Sequence, residues 1–194
     1  GVERNAVFPG GRGHRVGADL VAGIAVGGNA IGADHGRVDV AGAHDGTRHS
    51  LLSDPGYIYQ RARHLRRTNQ GVVARRVLAG RPALASLPTD PDKWVEELLA
   101  NARAAATAGE ASNAFRIAAS IDDGFAPGTD IRSLSAGLRD DYTSLVWLGG
   151  TTALWNLGNP RDAAGLFYRY GAAARTGQTR SKGFYWAGKA AAEA

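Results

Sequence analysis

The chain of 194 residues contains no cysteine, so disulfides and thiolate metal sites are excluded. A chain without disulfides is at home in the cytoplasm or the periplasm alike, so this absence does not fix a compartment. Methionine is absent as well, and the sequence stops inside a helical pattern, Lys189 to Ala194. It reads as a fragment or a processed chain. No run approaches the roughly 20 consecutive apolar residues that a membrane span requires. The apolar run Leu20 to Val26 is short and follows Asp19, which makes a poor signal-peptide core. Lysine is scarce: only Lys93, Lys182 and Lys189 contribute to the 23 basic residues. The net charge of +5 is compatible with anionic glycan, nucleic acid or acidic lipid, and equally with a plain solvated basic surface. With 44% apolar and 21% charged residues, the composition is that of a soluble globular protein.

What is present divides the chain in two. Residues 1–50 hold 12 of the 27 glycines and His14, His35, His44 and His49, but no tryptophan, tyrosine or lysine. Glycine costs about 1 kcal/mol per position in a helix, so this stretch is read as irregular, with short strands at most near Val21 to Val26 and Arg37 to Ala41. The same composition would arise from GC-rich DNA translated in a wrong frame. Asp34, His35, Asp39, His44, Asp45 and His49 carry metal-compatible side chains, but at spacings that match no recognised ligand pattern. Neither a dinucleotide fingerprint nor a phosphate loop appears, so no cofactor is expected. No serine or cysteine elbow accompanies the histidines, which leaves a nucleophilic triad without support.

From Asp54 onward the pattern is helical. Asp54-Pro55, Asp90-Pro91 and Asn159-Pro160 each pair a capping side chain with proline at the first helical position. Turn residues Asn69, Gly109 and Gly158 anchor a repeat. Seven residues before them stand Ala62, Ala102 and Thr151; five after stand Ala74, Ala114 and Ala163; eight after stand Val77, Ile117 and Leu166. Small residues let antiparallel helices approach closely and aliphatic ones fill the seam. The spacing therefore predicts an all-α fold over 54–194: stacked helical hairpins of tetratricopeptide-like type, a loop from Asp122 to Asp141, and a further helix beginning near Phe184. An ordinary helical bundle is the plainer alternative.

The strings DPGYIYQRARHLRR (54–67), DPDKWVEELLANAR (90–103), DDYTSLVWLGGTTALWNLG (140–158) and TRSKGFYWAGKAAA (179–192) resemble the alpha-superhelical region of soluble lytic transglycosylases of alphaproteobacterial type. The resemblance covers about residues 54–194 and does not extend to 1–50. It implies a curved periplasmic platform beside a separate lysozyme-like domain that cleaves peptidoglycan glycan strands. In that family a catalytic glutamate sits in a Glu-Ser pair. Here Glu3, Glu96, Glu97, Glu110 and Glu193 all lack a following serine, so no catalytic residue is assigned to this chain. Glu96 and Glu97 read as solvated surface residues.

Arg61, Arg63, Arg66 and Arg67, with Arg75 and Arg76, form either a basic strip or a solvated helix face. Arg63, Arg66, Arg67 and Arg180 are the candidate binding residues for a glycan strand or a protein partner on the concave face. Nucleic acid is a less favoured partner. The aromatics Trp147, Trp155, Phe167, Tyr168, Tyr170, Phe184, Tyr185 and Trp186 either stack on sugar rings or, for the larger share, pack the repeat core. A buried Trp155 predicts a loss of about 3–5 kcal/mol on truncation to alanine, and a surface one under about 0.5 kcal/mol.

Overall fold

A computed structural model describes residues 50–194. The glycine-rich segment expected at 1–50, with its acid–histidine series, lies outside the described residues but for its last position. Within 50–194 every regular element is a helix: α1 (Pro55–Arg67), α2 (Gly71–Ala79), α3 (Pro91–Thr107), α4 (Ala111–Ala119), α5 (Ala136–Thr151), α6 (Pro160–Ala173) and α7 (Gly177–Glu193). Short 3-10 turns at Ile121–Gly124 and Ile131–Ser133 interrupt the link between α4 and α5, and a π-type turn, Thr152–Asn156, follows α5.

The helix starts arise from the predicted caps. The Asp54 carboxylate accepts from the Tyr57 amide at 2.6 Å, that of Asp90 from Lys93 at 3.0 Å, and the Asn159 side chain from Asp162 at 3.2 Å. Each satisfies an amide that the first turn leaves without a helical partner. The three anchor residues end their helices in the left-handed region: Asn69 at φ 60°, Gly109 at 74° and Gly158 at 60°. Glycine adopts that region without steric cost and asparagine tolerates it, which is why these residue types mark the turns.

The turns fold the chain back on itself. Helix α1 packs on α2, α3 on α4, and α5 on α6; α7 then lies along α6. Between hairpins, α3 meets both α1 and α5, while α4 meets α2 and α5. Most of the predicted seam is buried: Ala62, Ala102, Ala74, Ala114 and Ala163 are fully enclosed, as is Ile117, and Leu166 is 3% exposed, but Val77 is half-buried and Leu78 beside it takes the core place. The main core gathers Ile58, Leu78, Trp94, Leu98, Ile121, Leu145 and Val146; a second groups Ala153, Ala163, Phe167 and Ala190.

Three further features depart from the sequence-based expectation. First, the loop after Asp122 ends earlier, because Ser135 caps α5 by accepting from the Leu138 amide at 3.2 Å. Asp140 and Asp141 are therefore inside a helix, whose Leu138, Tyr142 and Leu145 face the core at helical spacing. Second, the residue seven before Gly158 is not the buried one. In the π-type turn the Leu157 amide donates to the Thr152 carbonyl five residues back at 3.1 Å, so one extra residue enters the turn and Thr152 and Ala153 take the buried place. Third, the last helix starts at Gly177 under a Thr176 cap, seven residues before Phe184.

Ion pairs tie neighbouring hairpins. Arg75 on α2 forks onto Glu110, at the start of α4, with bonds of 2.9 and 2.6 Å. The guanidinium, helped by the Asn113 amide, lowers the Glu110 carboxyl to about 2 from an ordinary 4.5. A depressed carboxyl contributes stability above the unfolded-state value and loses it as pH falls. We expect Arg75→Ala to return the Glu110 titration, followed by carbon-detected NMR, toward the ordinary value. The variant's stability should also fall less steeply than the parent's as pH drops from about 5 to about 2. An unchanged Glu110 midpoint would refute the pairing.

Candidate functional site

The basic residues singled out in the sequence do not act as one strip. Arg66, itself partly exposed, forks onto the buried Glu97 of α3 with bonds of 2.9 and 2.8 Å. Arg75 is committed to Glu110 as above. Arg63 donates to the Tyr59 hydroxyl at 3.2 Å and lies over that ring at 5.8 Å. Arg67 remains exposed at the end of α1, while Arg61 and Arg76 line a shallow cavity of about 360 Å³ with Tyr57 and Val77. Arg180 belongs to α7 and is half-buried. Of the candidate binding residues, therefore, Arg66 is a structural ion-pair member, and Arg63, Arg67 and Arg180 sit on two different elements.

The reading of Glu97 as a solvated residue is overturned. It is 4% exposed, and besides Arg66 it accepts from the buried Asn101 amide at 2.8 Å. Glu96 is exposed, as expected. Helical spacing alone could not separate the two, because the deciding partner, Arg66, comes from another hairpin 31 residues away.

The aromatics separate into core and surface. Phe167 is fully buried; Trp147, Tyr170 and Trp186 are half-buried around it, with ring centroids 5.1 Å from Phe167 to Trp147 and 6.2 Å from Phe167 to Trp186. Trp155, at 58% exposure, meets Trp186 edge-on at 5.3 Å, and Tyr185, at 61%, meets it edge-on at 5.6 Å. A second exposed pair, Tyr168 and Phe184, stands 5.5 Å apart. The ammonium of Lys182 lies 3.7 Å from the Trp147 ring, a cation–π contact. The buried-hairpin reading of Trp155 does not hold: the π-type turn rotates the ring outward, leaving Ala153 in the core beneath it.

No family model, curated protein or solved structure matches this chain.

Two exposed rings packed on a half-buried one make the Trp155–Trp186–Tyr185 ledge the candidate site. Half-buried Trp186 packs against Phe167, and the exposed rings of Trp155 and Tyr185 both meet it edge-on. Large exposed apolar rings clustered in this way mark contact surfaces more often than isolated ones do. Tyr168 also edges a cavity of about 380 Å³, lined by Asp122, Phe125, Ile131, Tyr142 and Arg169. In that cavity the buried Tyr142 hydroxyl donates to Asp122 at 2.7 Å, and Arg169 pairs with the same carboxylate at 3.2 Å. Burial, and then the neighbouring carboxylate, pushes the Tyr142 hydroxyl well above the usual phenol range. It is a fixed donor, and Asp122 is held by two partners. Half-buried Asp141 also has a raised carboxyl, with burial as the first cause; Arg103 opposes the rise, while Glu96, Asp140 and Asp92 add to it. Among the described residues no group of three or more acids and histidines is placed to hold a metal ion. No described helix is long and apolar enough to cross a membrane.

Proposed function

We propose that residues 54–194 form a tetratricopeptide-like superhelical scaffold of a periplasmic peptidoglycan lytic transglycosylase, which holds a glycan strand for a catalytic domain supplied elsewhere. The observation that carries this reading is the ledge of Trp155, Trp186 and Tyr185, in which two exposed rings meet a half-buried one edge-on. Flat apolar faces bordered by polar groups suit the faces of sugar rings, as aromatic side chains combine large contact area with a polar rim. The recurrence of left-handed turns at Asn69, Gly109 and Gly158 supports the repeat character. So does the placement of all four family-like strings largely on helices. In this reading the chain itself contributes binding and no chemistry.

Co-sedimentation with insoluble peptidoglycan sacculi tests the proposal. The chain should pellet with sacculi, and Trp155→Ala should weaken binding at least about tenfold, equivalent to about 1.4 kcal/mol. The same substitution should cost less than about 1 kcal/mol of stability in urea unfolding, since the ring is mostly in solvent. Absence of sedimentation would remove the proposal and favour a second reading of the same exposed rings, that of a free-standing tetratricopeptide-like module that binds a protein partner. Release of anhydro-muropeptides by the chain alone would show catalysis and overturn the scaffold assignment.

A further inference from the structure

Three arginine side chains among the described residues are almost wholly withdrawn from water, and their surroundings differ. Arg81, with 2% of its side chain exposed, is saturated: Asp123 at 2.9 Å, the Leu78 carbonyl at 2.8 Å and the Ser120 carbonyl at 3.0 Å. Arg75, at 11%, has its two-bond fork to Glu110. Arg139 on α5, at 10%, meets only the Leu134 carbonyl at 3.5 Å and an oxygen of Asp140 at 3.8 Å. Asp140 itself is 74% exposed and so is largely given to water. The Leu134 bond is at the limit of hydrogen-bonding distance and the Asp140 contact lies beyond it, so the protein itself meets the donors of this guanidinium poorly.

A cavity of about 360 Å³ adjoins this group, lined by Arg139, Arg175, Asp140, Thr143, Thr176 and Thr179. Arg175 is exposed and makes no ion pair among the described residues. The charges on the wall are two guanidiniums against one carboxylate. The hydroxyls are partly committed. Thr143 donates to the Asp140 carbonyl at 3.1 Å, and Thr176 accepts from the Thr179 amide at 3.2 Å. The Thr176 and Thr179 hydroxyls share one proton between them at 2.7 Å, which leaves the other hydroxyl proton free to donate. The start of α7 adds the positive end of a 17-residue helix beside them.

We infer that this cavity is an oxyanion site, in which Arg139 and Arg175 hold the carboxylate or phosphate group of a small ligand against the first turn of α7. A planar fork of donors facing two oxygens is the arrangement that guanidinium recognition of both groups uses. The oxyanion would complete the shell of Arg139 that Leu134 and Asp140 leave thin. Such a site stands whether or not the chain binds cell wall.

The test uses the full chain at constant ionic strength, with sodium acetate, inorganic phosphate and sodium chloride titrated in separate arms. The arginine side-chain Nε–H signals are followed by NMR. The expected result is a saturable shift of the Arg139 signal with acetate, phosphate or both, and none with chloride. Saturation by acetate alone identifies a carboxylate ligand and by phosphate alone a phosphate one. Arg139→Gln should weaken binding at least about tenfold, and Arg175→Gln at least about threefold. Asp140→Asn should tighten it by removing the competing charge. Arg175 and Asp140 are exposed, so their variants test the site even if Arg139→Gln does not fold. A linear, unsaturable response, an equal response to chloride, or affinity unchanged in Arg175→Gln overturns the assignment.

Discussion

Arg66→Ala is expected to lower the unfolding free energy by about 3 kcal/mol, more than the roughly 2 kcal/mol expected of Glu97→Ala, although Arg66 is the more exposed partner. The two side chains are 43% and 5% exposed. Removing the acid leaves a guanidinium that reaches water, whose partner bond raises its own proton affinity but is not needed to keep it charged. Removing the arginine leaves a carboxylate enclosed by α1 and α3, with the Asn101 amide as its remaining side-chain donor. An unpaired charge in that position is the expensive outcome. The double variant should cost less than the sum, since the second deletion removes a charge that the first left stranded. Urea unfolding of the two single variants and the double one measures all three quantities. A loss under about 0.5 kcal/mol for Arg66→Ala would return Arg66 to a solvated face and free it for a ligand.

The same pair shows where sequence reasoning reached its limit. Signals that are local in the chain were legible. The caps at Asp54, Asp90 and Asn159 and the turns at Asn69, Gly109 and Gly158 depend on neighbours within a few residues, and each appears where spacing placed it. The alanine seam was legible too, because its periodicity repeats from hairpin to hairpin. Partners from distant hairpins were not: no pattern around Glu97 announces Arg66, and none around Arg139 announces the thin shell that its guanidinium occupies. Trp155 failed for a related reason. A regular helix has 3.6 residues per turn, and the wider turn at Thr152–Asn156, which contains the ring, departs from that period. The candidate ledge was thus legible as a list of aromatics. Which of them face water depended on a local departure from regular helix.

The glycines of the last two helices carry the second large effect. An ideal Cβ built on Gly183 would fall 2.5 Å from both the Cα and the nitrogen of Gly171, so α6 and α7 cross backbone to backbone. No rotamer change relieves a clash with backbone, and the helices must part. We expect Gly183→Ala to destabilise by about 2–4 kcal/mol and Gly183→Val by more, with Trp186 fluorescence reporting the parting of the helices. At Gly171 the first contact for a new Cβ is the Phe184 ring at 3.0 Å, which is partly exposed and can swing, although the Arg180 carbonyl at 3.1 Å limits how far the site relaxes. Gly171→Ala should therefore cost less than Gly183→Ala. Gly188, on the same helix as Gly183, meets nothing within 4 Å, and its replacement by alanine should stabilise the chain by about 0.5–1 kcal/mol through helix propensity alone. The opposite signs at positions only five residues apart follow from one crossing point. If Gly183→Ala were neutral, the tight crossing would be wrong, and with it the support that holds Trp186 and the exposed rings beside it in place.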